Sequence, residues 1–325
     1  MRIGITYDLR EDYGIERDSQ VFADFCHPDE IAYMADAIRA NGYEPVLLGN
    51  MYHLNERILN RSLGCDLVLI CDEGIRSRNR EAIVPALLEL NRIPYIGSDA
   101  YCMGLSQNKY HTKLVAEALG IDCPKGIYLP ADQPAPAQLP PFPLIVKPNA
   151  EGYSMGVFLV HDRKELQEAV QYNYEHYHEG VLIEEYIKGQ ELYAPLVGTG
   201  DEAYVLGIGV ARYSDGRDID IFSLNDKCFS EIRDKIPDLP PKAAAEIREA
   251  SLKLYRHMEC QDFGRCDFKL TEEGRAVLIE INPRPGLTQN GPFENCARAV
   301  GKSYVSVLGE IIESARKRCF GADGV

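Results

Sequence analysis

Short apolar runs alternate with helical spacings through the first third of the chain, and this rhythm limits the fold more than any other feature. Arg2-Ile3-Gly4-Ile5-Thr6, Pro45-Val46-Leu47-Leu48, Leu67-Val68-Leu69-Ile70 and Pro94-Tyr95-Ile96 read as short buried strands. Between them, Ile31, Met34, Ala35 and Ile38 share one helical face closed by Asn41-Gly42. A second helix is expected around Arg57, and Ile83, Ala86, Leu87 and Leu90 mark a third. Strand–helix–strand alternation builds a parallel sheet, so residues 1–105 are expected to form a small parallel α/β domain. Loops at the carboxyl ends of such strands carry function. Tyr7-Asp8-Leu9-Arg10 leaves the first strand without a glycine cluster, which excludes a dinucleotide fingerprint. Residues 11–30 read as a polar surface excursion, with a flap as the other reading.

The most informative chemistry lies near the other end. Cys266, Phe268 and Leu270 alternate with Asp267 and Lys269 in one strand, ended by Thr271-Glu272-Glu273-Gly274. Ala276-Val277-Leu278-Ile279 begins a second strand, which delivers Glu280, Asn282 and the turn Pro283-Arg284-Pro285-Gly286. Paired as a hairpin, these strands could bring Asp267 and Glu280 to one face within a few ångström. Two carboxylates and the Asn282 amide are oxygen-only ligands suited to Mg²⁺, while an acidic hairpin tip in solvent is the plainer alternative.

Composition narrows the partners. The chain has 325 residues, is 45% hydrophobic and can bury cores for two or three domains. A formal charge of −15 argues against nucleic acid or an anionic membrane as general partner, so any phosphate site must be a local cluster of Lys and Arg. Ten cysteines without a Cys-x-x-Cys pair, no secretory leader and no apolar run of spanning length give the expectation of a cytoplasmic protein with reduced thiols and no zinc.

The middle of the chain opens with a helix expected from Lys109 to Leu119, then a proline-dense loop from Pro130 to Pro143. Leu144-Ile145-Val146 leads into Lys147, then Glu151-Gly152-Tyr153-Ser154-Met155-Gly156 and a return strand at Val157 to Val160. That is a hairpin flap whose glycines would let backbone N–H groups approach an anion. After a helix at Lys164 to Tyr174, Val181-Leu182-Ile183-Glu184-Glu185-Tyr186-Ile187 reads either as an ordinary edge strand or as an edge holding adenine, with Glu191 for the ribose. His176 and His178 read as surface residues. Further strands are expected at Tyr204 to Val210 and Ile219 to Phe222, an exposed loop at Glu231 to Pro241, helices at Lys242 to Met258 and Tyr304 to Lys317, and a frayed tail from Cys319.

Taken in order, Lys147-Pro with the Glu-Gly-x-Ser-x-Gly flap, Val-Leu-Ile-Glu-Glu-Tyr-Ile-x-Gly-x-Glu, Asp-x-Lys, Gly-Arg-x-Asp-Phe and Glu-Ile-Asn-x-x-Pro-Gly-Leu-Thr resemble the D-alanine–D-alanine ligase family of ATP-grasp enzymes. Ile93 to Ser98 and Asn108-Lys109 are similar to that family's first-domain exit, and the likeness runs from about residue 66 to residue 312. The resemblance implies an α/β protein of α+β ATP-grasp type: an N-terminal parallel domain at 1–105, a central subdomain with the flap at 106–187 and a C-terminal subdomain with the metal site at 188–325. It implies ATP and two Mg²⁺ ions, with Mn²⁺ as a substitute. Lys109, Lys147 and Lys227 match lysines that neutralise phosphates, Gly152 to Gly156 with Ser154 the phosphate cover, Glu184, Glu185, Tyr186 and Ile187 the adenine edge, and Glu191 the ribose ligand. Asp267, Glu280 and Asn282 match the metal ligands, and Arg265 the arginine that steadies the acyl phosphate and the tetrahedral intermediate. The implied reaction joins a small amino-acid or peptide-like carboxylate to an amine through an acyl phosphate. Phosphoryl transfer of this kind needs cations and positioning more than covalent help. A homodimer is the expected assembly, with neither nucleic acid nor membrane as partner.

The substrate positions depart from the family. Tyr7 to Arg10, Cys71-Asp72-Glu73-Gly74 and Arg78-Asn79-Arg80-Glu81 replace its first-domain recognition elements, and Tyr153, Cys228 and Gly291 stand where a flap serine, a tyrosine and a serine are expected. Arg284 is an added charge, read with Arg10 as a partner for a substrate carboxylate, or else as a brace for the Pro283 and Pro285 turn. A ligase for a substrate other than D-alanine follows. A nucleotide-binding module without catalysis is the alternative.

Overall fold

The structure, a computed structural model, describes all residues except 17–21, 76, 218, 220, 222, 230–231 and 322–325, and the backbone alone at 227–229 and 232–234. Three sheets follow one another along the chain. The first holds β1 (Arg2–Thr6), β2 (Glu44–Gly49), β3 (Leu67–Leu69) and β4 (Tyr95–Ile96), all parallel, in the order β2-β1-β3-β4. α1 (Pro28–Ala40), α2 (Met51–Leu59) and α3 (Ile83–Leu90) link them, and α4 (Ala100–Gln107) leads away. Strand order reverses between β1 and β3, so the loops leaving these strands open at the crevice where sheets of this kind place ligands. The two loops are tied together. Asp8 Oδ2 accepts the Glu73 and Gly74 N–H groups at 2.8 Å each, and Thr6 Oγ1 donates to Asp72 at 2.5 Å.

The second sheet is antiparallel and lies beyond α5 (Lys109–Ala118). It holds β5 (Gly126–Leu129), β6 (Leu144–Pro148) and β7 (Phe158–Val160), then, after α6 (Arg163–Tyr177), β8 (Val181–Glu185), in the order β5-β8-β6-β7. β8 is therefore interior, not the edge strand that was one reading of its sequence: Val181 and Ile183 pack in the apolar core with Leu144, Val146 and Leu166. The proline-dense loop joins β5 to β6 as expected.

The third sheet contains β9 (Gln190–Val197), β10 (Tyr204–Val205), β11 (Gly209–Tyr213), β12 (Ile232–Lys235), β13 (Phe263–Leu270) and β14 (Ala276–Asn282). Their order is β12-β11-β9-β13-β14, with β10 beside β9. α7 (Leu224–Phe229) and α8 (Pro241–His257) are threaded between strands, and α9 (Pro292–Ala299) and α10 (Tyr304–Phe320) close the chain. The sequence reading and the structure part in several places here. β9 is the central strand, unannounced because its polar start and Pro195 hide the apolar period. Ile219 and Ile221 are irregular rather than strand, the rest of that run lying outside the described residues. β12 occupies part of the expected loop; its Ile-Arg-Asp-Lys sequence lacks apolar alternation, and at a sheet edge backbone pairing does not require it. α10 also runs through Cys319, where a frayed tail was expected.

α10 does not stay with the third sheet. Val307, Leu308, Ile311 and Ile312 share one buried cluster with Ile3, Ile5, Met34 and Ile38, so the end of the chain covers the first sheet. No helix among the described residues is long and apolar enough to cross a membrane.

Candidate active site

A cavity of about 700 Å³ lies among the three sheets. Its walls include Ile70 and Glu73 after β3, Lys147 from β6, Tyr193 from β9, Asp267 from β13 and Glu280 from β14. Strand parity explains the lower wall. Arg265, Asp267 and Lys269 point to one face of β13, while Cys266 and Phe268 enter the core beneath. In the antiparallel register Asp267 lies opposite Glu280, and Arg265 opposite Asn282.

This end balances its charges locally. Arg265 grips Asp267 through two parallel hydrogen bonds of 2.7 and 2.8 Å, Asn282 Nδ2 donates to Asp267 at 3.0 Å, and Lys109 Nζ stands 3.5 Å from Glu280 Oε2. Burial opposes the charge of Arg265, yet the Asp267 and Glu280 carboxylates outweigh it and hold the guanidinium firmly protonated. Opposed carboxylates and an amide on one face form a donor set that fits Mg²⁺. Among the described residues no three His, Cys, Asp or Glu side chains are grouped to hold a metal, so any cation here depends on the amide, and on water or substrate oxygen, to complete its shell.

Beside it lies a buried triad. Glu184 of β8 is 2.5 Å from Lys147 Nζ and 3.0 Å from Lys113 Nζ of α5. Burial acts against the charge of Glu184, but the two ammonium groups prevail and hold its carboxyl below the usual range. Lys113 is lowered, first by its burial. The sequence reading did not single out Lys113; its only signal was a lysine on the buried face of an amphipathic helix. Lys269, also unanticipated, holds Glu191 at 3.3 Å. Glu185, Tyr186 and Ile187 line the same wall.

The flap spans 149–157 between β6 and β7, and Gly152 to Met155 line the cavity. Lys109 Nζ donates to the Glu151 carbonyl at 2.6 Å. Tyr153, Ser154 and Gly156 all have left-handed backbone, with φ of 54°, 63° and 68°. At Gly156 an added Cβ would sit 2.3 Å from Asn173 Oδ1 and 2.7 Å from Pro148, so only glycine fits. At Gly152 the nearest atom would be Arg80 Nη2 at 4.0 Å.

The end below β3 differs most from the sequence reading. Asp24, Phe25 and Cys26 line the cavity, although 11–30 read as surface. Arg80 Nη1 donates to the Ala150 carbonyl at 3.1 Å, and Nη2 lies 3.4 Å from Asp24 and 3.3 Å from Glu151, joining the first sheet to the flap. Arg284 is buried in an ion pair with Glu73 and stands 3.9 Å from Glu81. Its guanidinium is thus engaged by the wall. Burial, opposed by Arg284 and reinforced by Asp24 and Glu81, pushes the Glu73 carboxyl up to about 8. Asp24 was not named in the sequence reading, while Glu73, Arg80 and Glu81 stood there only within the stretches that replace the family's first-domain recognition elements, with no individual role. Arg10 is buried and does not line the cavity. Gly291 caps α9, where a Cβ would meet Thr288 Oγ1 at 2.5 Å. The side chains of Lys227 and Cys228 lie outside the described residues.

A parallel α/β unit followed by two sheets that enclose a lysine- and carboxylate-lined cavity defines the ATP-grasp class. The family model for the D-ala D-ala ligase C-terminus matches residues 135–313. An uncharacterised protein, y4sG, of Sinorhizobium fredii is 31% identical over 77% of this chain and 74% of its own length. A D-alanine–D-alanine ligase of Azoarcus sp. is 35% identical over 78% of this chain and 81% of its own. The crystal structure of the D-alanine–D-alanine ligase of Bacillus anthracis complexed with ATP superposes with a TM-score of 0.77 at 25% identity, over 98% of each chain. The chain belongs to the D-alanine–D-alanine ligase family, as the resemblance implied. It is an ATP-dependent ligase of that type, which sets aside the non-catalytic module.

Proposed function

We propose that the protein activates the carboxylate of an amino acid or small peptide-like acid with ATP, joins it to an amine, and does not use D-alanine as its natural substrate. The observation that carries this reading is the facing pair Asp267 and Glu280, open to the same cavity as Lys109, Lys147 and the flap, opposite a wall lined by Asp24, Glu73 and Glu81. Catalytic chemistry and substrate recognition occupy different ends; the residues assigned to phosphate and metal keep the family's motifs, and the positions assigned to substrate depart from them.

In this mechanism the substrate carboxylate oxygen attacks the γ-phosphorus and ADP departs. The amine then attacks the acyl carbon, the amide bond forms, and phosphate leaves with the former carboxylate oxygen while the amine loses a proton. Lys109, Lys147 and Lys227 offset the phosphate charge. Arg265 faces the charge that develops on the acyl phosphate and the tetrahedral intermediate. Ser154 and the flap backbone cover the phosphates and exclude water, which would otherwise hydrolyse the intermediate. Asp267, Glu280 and Asn282 would hold Mg²⁺, whose chemistry is to neutralise and orient the transferring phosphoryl group. Glu184, Glu185, Tyr186 and Ile187 seat adenine, and Glu191, held by Lys269, seats the ribose. Arg284 is a positioning residue here. It fixes Glu73 and Glu81, and a substrate carboxylate would have to displace one of them.

ADP release over a panel of amino acids tests the reading. Release is expected with at least one acid, with little D-alanyl-D-alanine formed, and Glu280→Gln should abolish turnover with an unchanged melting temperature. Efficient dipeptide synthesis from D-alanine, or near-normal ADP release by Glu280→Gln, would contradict it.

A further inference from the structure

We infer that the end of the cavity below β3 takes the cationic side chain of a basic amino acid, its ammonium or guanidinium group held by Asp24 and Glu73. This rests on the ligase reading, since it names the substrate class of the same cavity.

The first ground is charge. Asp24, Glu73, Glu81 and Glu151 meet two guanidinium groups among the described residues, Arg80 and Arg284, so the carboxyls of the connected cluster outnumber its guanidinium groups by two. Lys109 offsets part of this from the side of Glu151. Glu30 is committed to the His27 N–H at 2.8 Å, and Lys109 is turned to Glu280 and the Glu151 carbonyl. Burial holds the carboxyls of Asp24, Glu73 and Glu151 above their usual range, with Arg80 or Arg284 acting against it in each case.

The second ground is an acceptor left unmet. The Asp24 side chain is 7% exposed and lines the cavity, its Oδ2 lies 3.4 Å from Arg80, and among the described residues its buried Oδ1 accepts no hydrogen bond. A native interior rarely leaves such an oxygen unused, and a ligand N–H supplies what it lacks.

The third ground is the shape of the substrate. To be activated, its carboxylate must lie at the end with Lys109, Lys147 and Arg265. A neutral amino acid then offers the acidic wall only its α-ammonium, and as a zwitterion it brings no net charge. A cationic side chain brings the second positive charge. Ala23, Phe25, Met34 and Ile70 line the same wall and give a methylene stem apolar cover.

The test is calorimetric binding to the full chain loaded with Mg²⁺ and a non-hydrolysable ATP analogue, using both enantiomers of lysine, ornithine and arginine against norleucine, which has lysine's stem without its charge. At least one basic amino acid should bind about tenfold or more tighter than norleucine. Asp24→Asn should erase most of that preference while leaving nucleotide affinity unchanged. Norleucine binding as well as every basic amino acid, or no binding of any basic amino acid, would overturn the inference. The comparison among ligands on the unmodified protein decides the matter even if the variant fails to fold. ADP release is read separately: release with neutral or acidic acids alone refutes this inference and leaves the ligase reading standing, whereas tight lysine binding without release from any acid refutes the ligase reading.

Discussion

A carboxyl buried beside other carboxyls and a single arginine must give up part of its charge near neutrality, and Glu73 shows this most clearly. With its value raised to about 8, the folded protein binds that proton more tightly than the unfolded chain between the ordinary glutamate value and about 8. Stability therefore falls as pH rises through that window and levels off above it. Glu179, raised to about 7, and Asp72, raised to about 6, act with the same sign, burial being the first cause in each. Melting temperature should decline from about pH 5.5 to about pH 8.5, and Glu73→Gln should make the decline shallower. An identical slope in both proteins would show that Glu73 titrates normally. At this scale the sequence was legible where local geometry decides. Asp267, Glu280 and Asn282 could be placed on one face because strand parity is fixed once the hairpin is recognised. Asp24, Glu73 and Arg80 could not, because they lie 49 and 7 positions apart in sequence and meet only through packing of the first sheet against the flap.

Among the elements, the flap is the one whose conformation the sequence constrains most tightly. Two glycines looked equivalent in the sequence, but only Gly156 has a left-handed φ, of 68°, with neighbours that a Cβ would strike. Gly156→Ala should therefore lower stability by about 1–2 kcal/mol and raise the apparent KM for ATP, while Gly152→Ala should leave the melting temperature unchanged. Thermal melts and ATP kinetics of the two variants check this, and equal melting temperatures for the two would refute it. Helices and apolar strands were found where periodicity was strong, as in α1, α8 and β1. β9 and β12 were missed for a common reason: their backbones are recruited by neighbouring strands, which no local period reveals.

On the scale of the whole molecule, the chain closes on itself. Asp262, fully buried just before β13, accepts the Gly97 N–H at 2.9 Å and is held by Arg318 of α10 at 2.6 Å, so one carboxylate joins the exit of the first sheet, the entry to β13 and the last helix. That closure fixes the distance between the acidic wall below β3 and the phosphate end on β6, β13 and β14, and the cavity exists only as their common boundary. The ordered motifs revealed which fold this would be. The substrate wall was legible only as stretches that replace the family's recognition elements, and its ion pairs stayed hidden because they form through packing of distant segments. Activation of a carboxylate by phosphoryl transfer leaves a mark on the carboxylate oxygen, which can be followed into the products. Amino acids labelled with ¹⁸O in the carboxylate, pooled with ATP and Mg²⁺, should yield phosphate carrying one ¹⁸O atom per amide bond formed, seen as an isotope shift in the ³¹P spectrum. Amide formation with unlabelled phosphate would contradict the acyl-phosphate route.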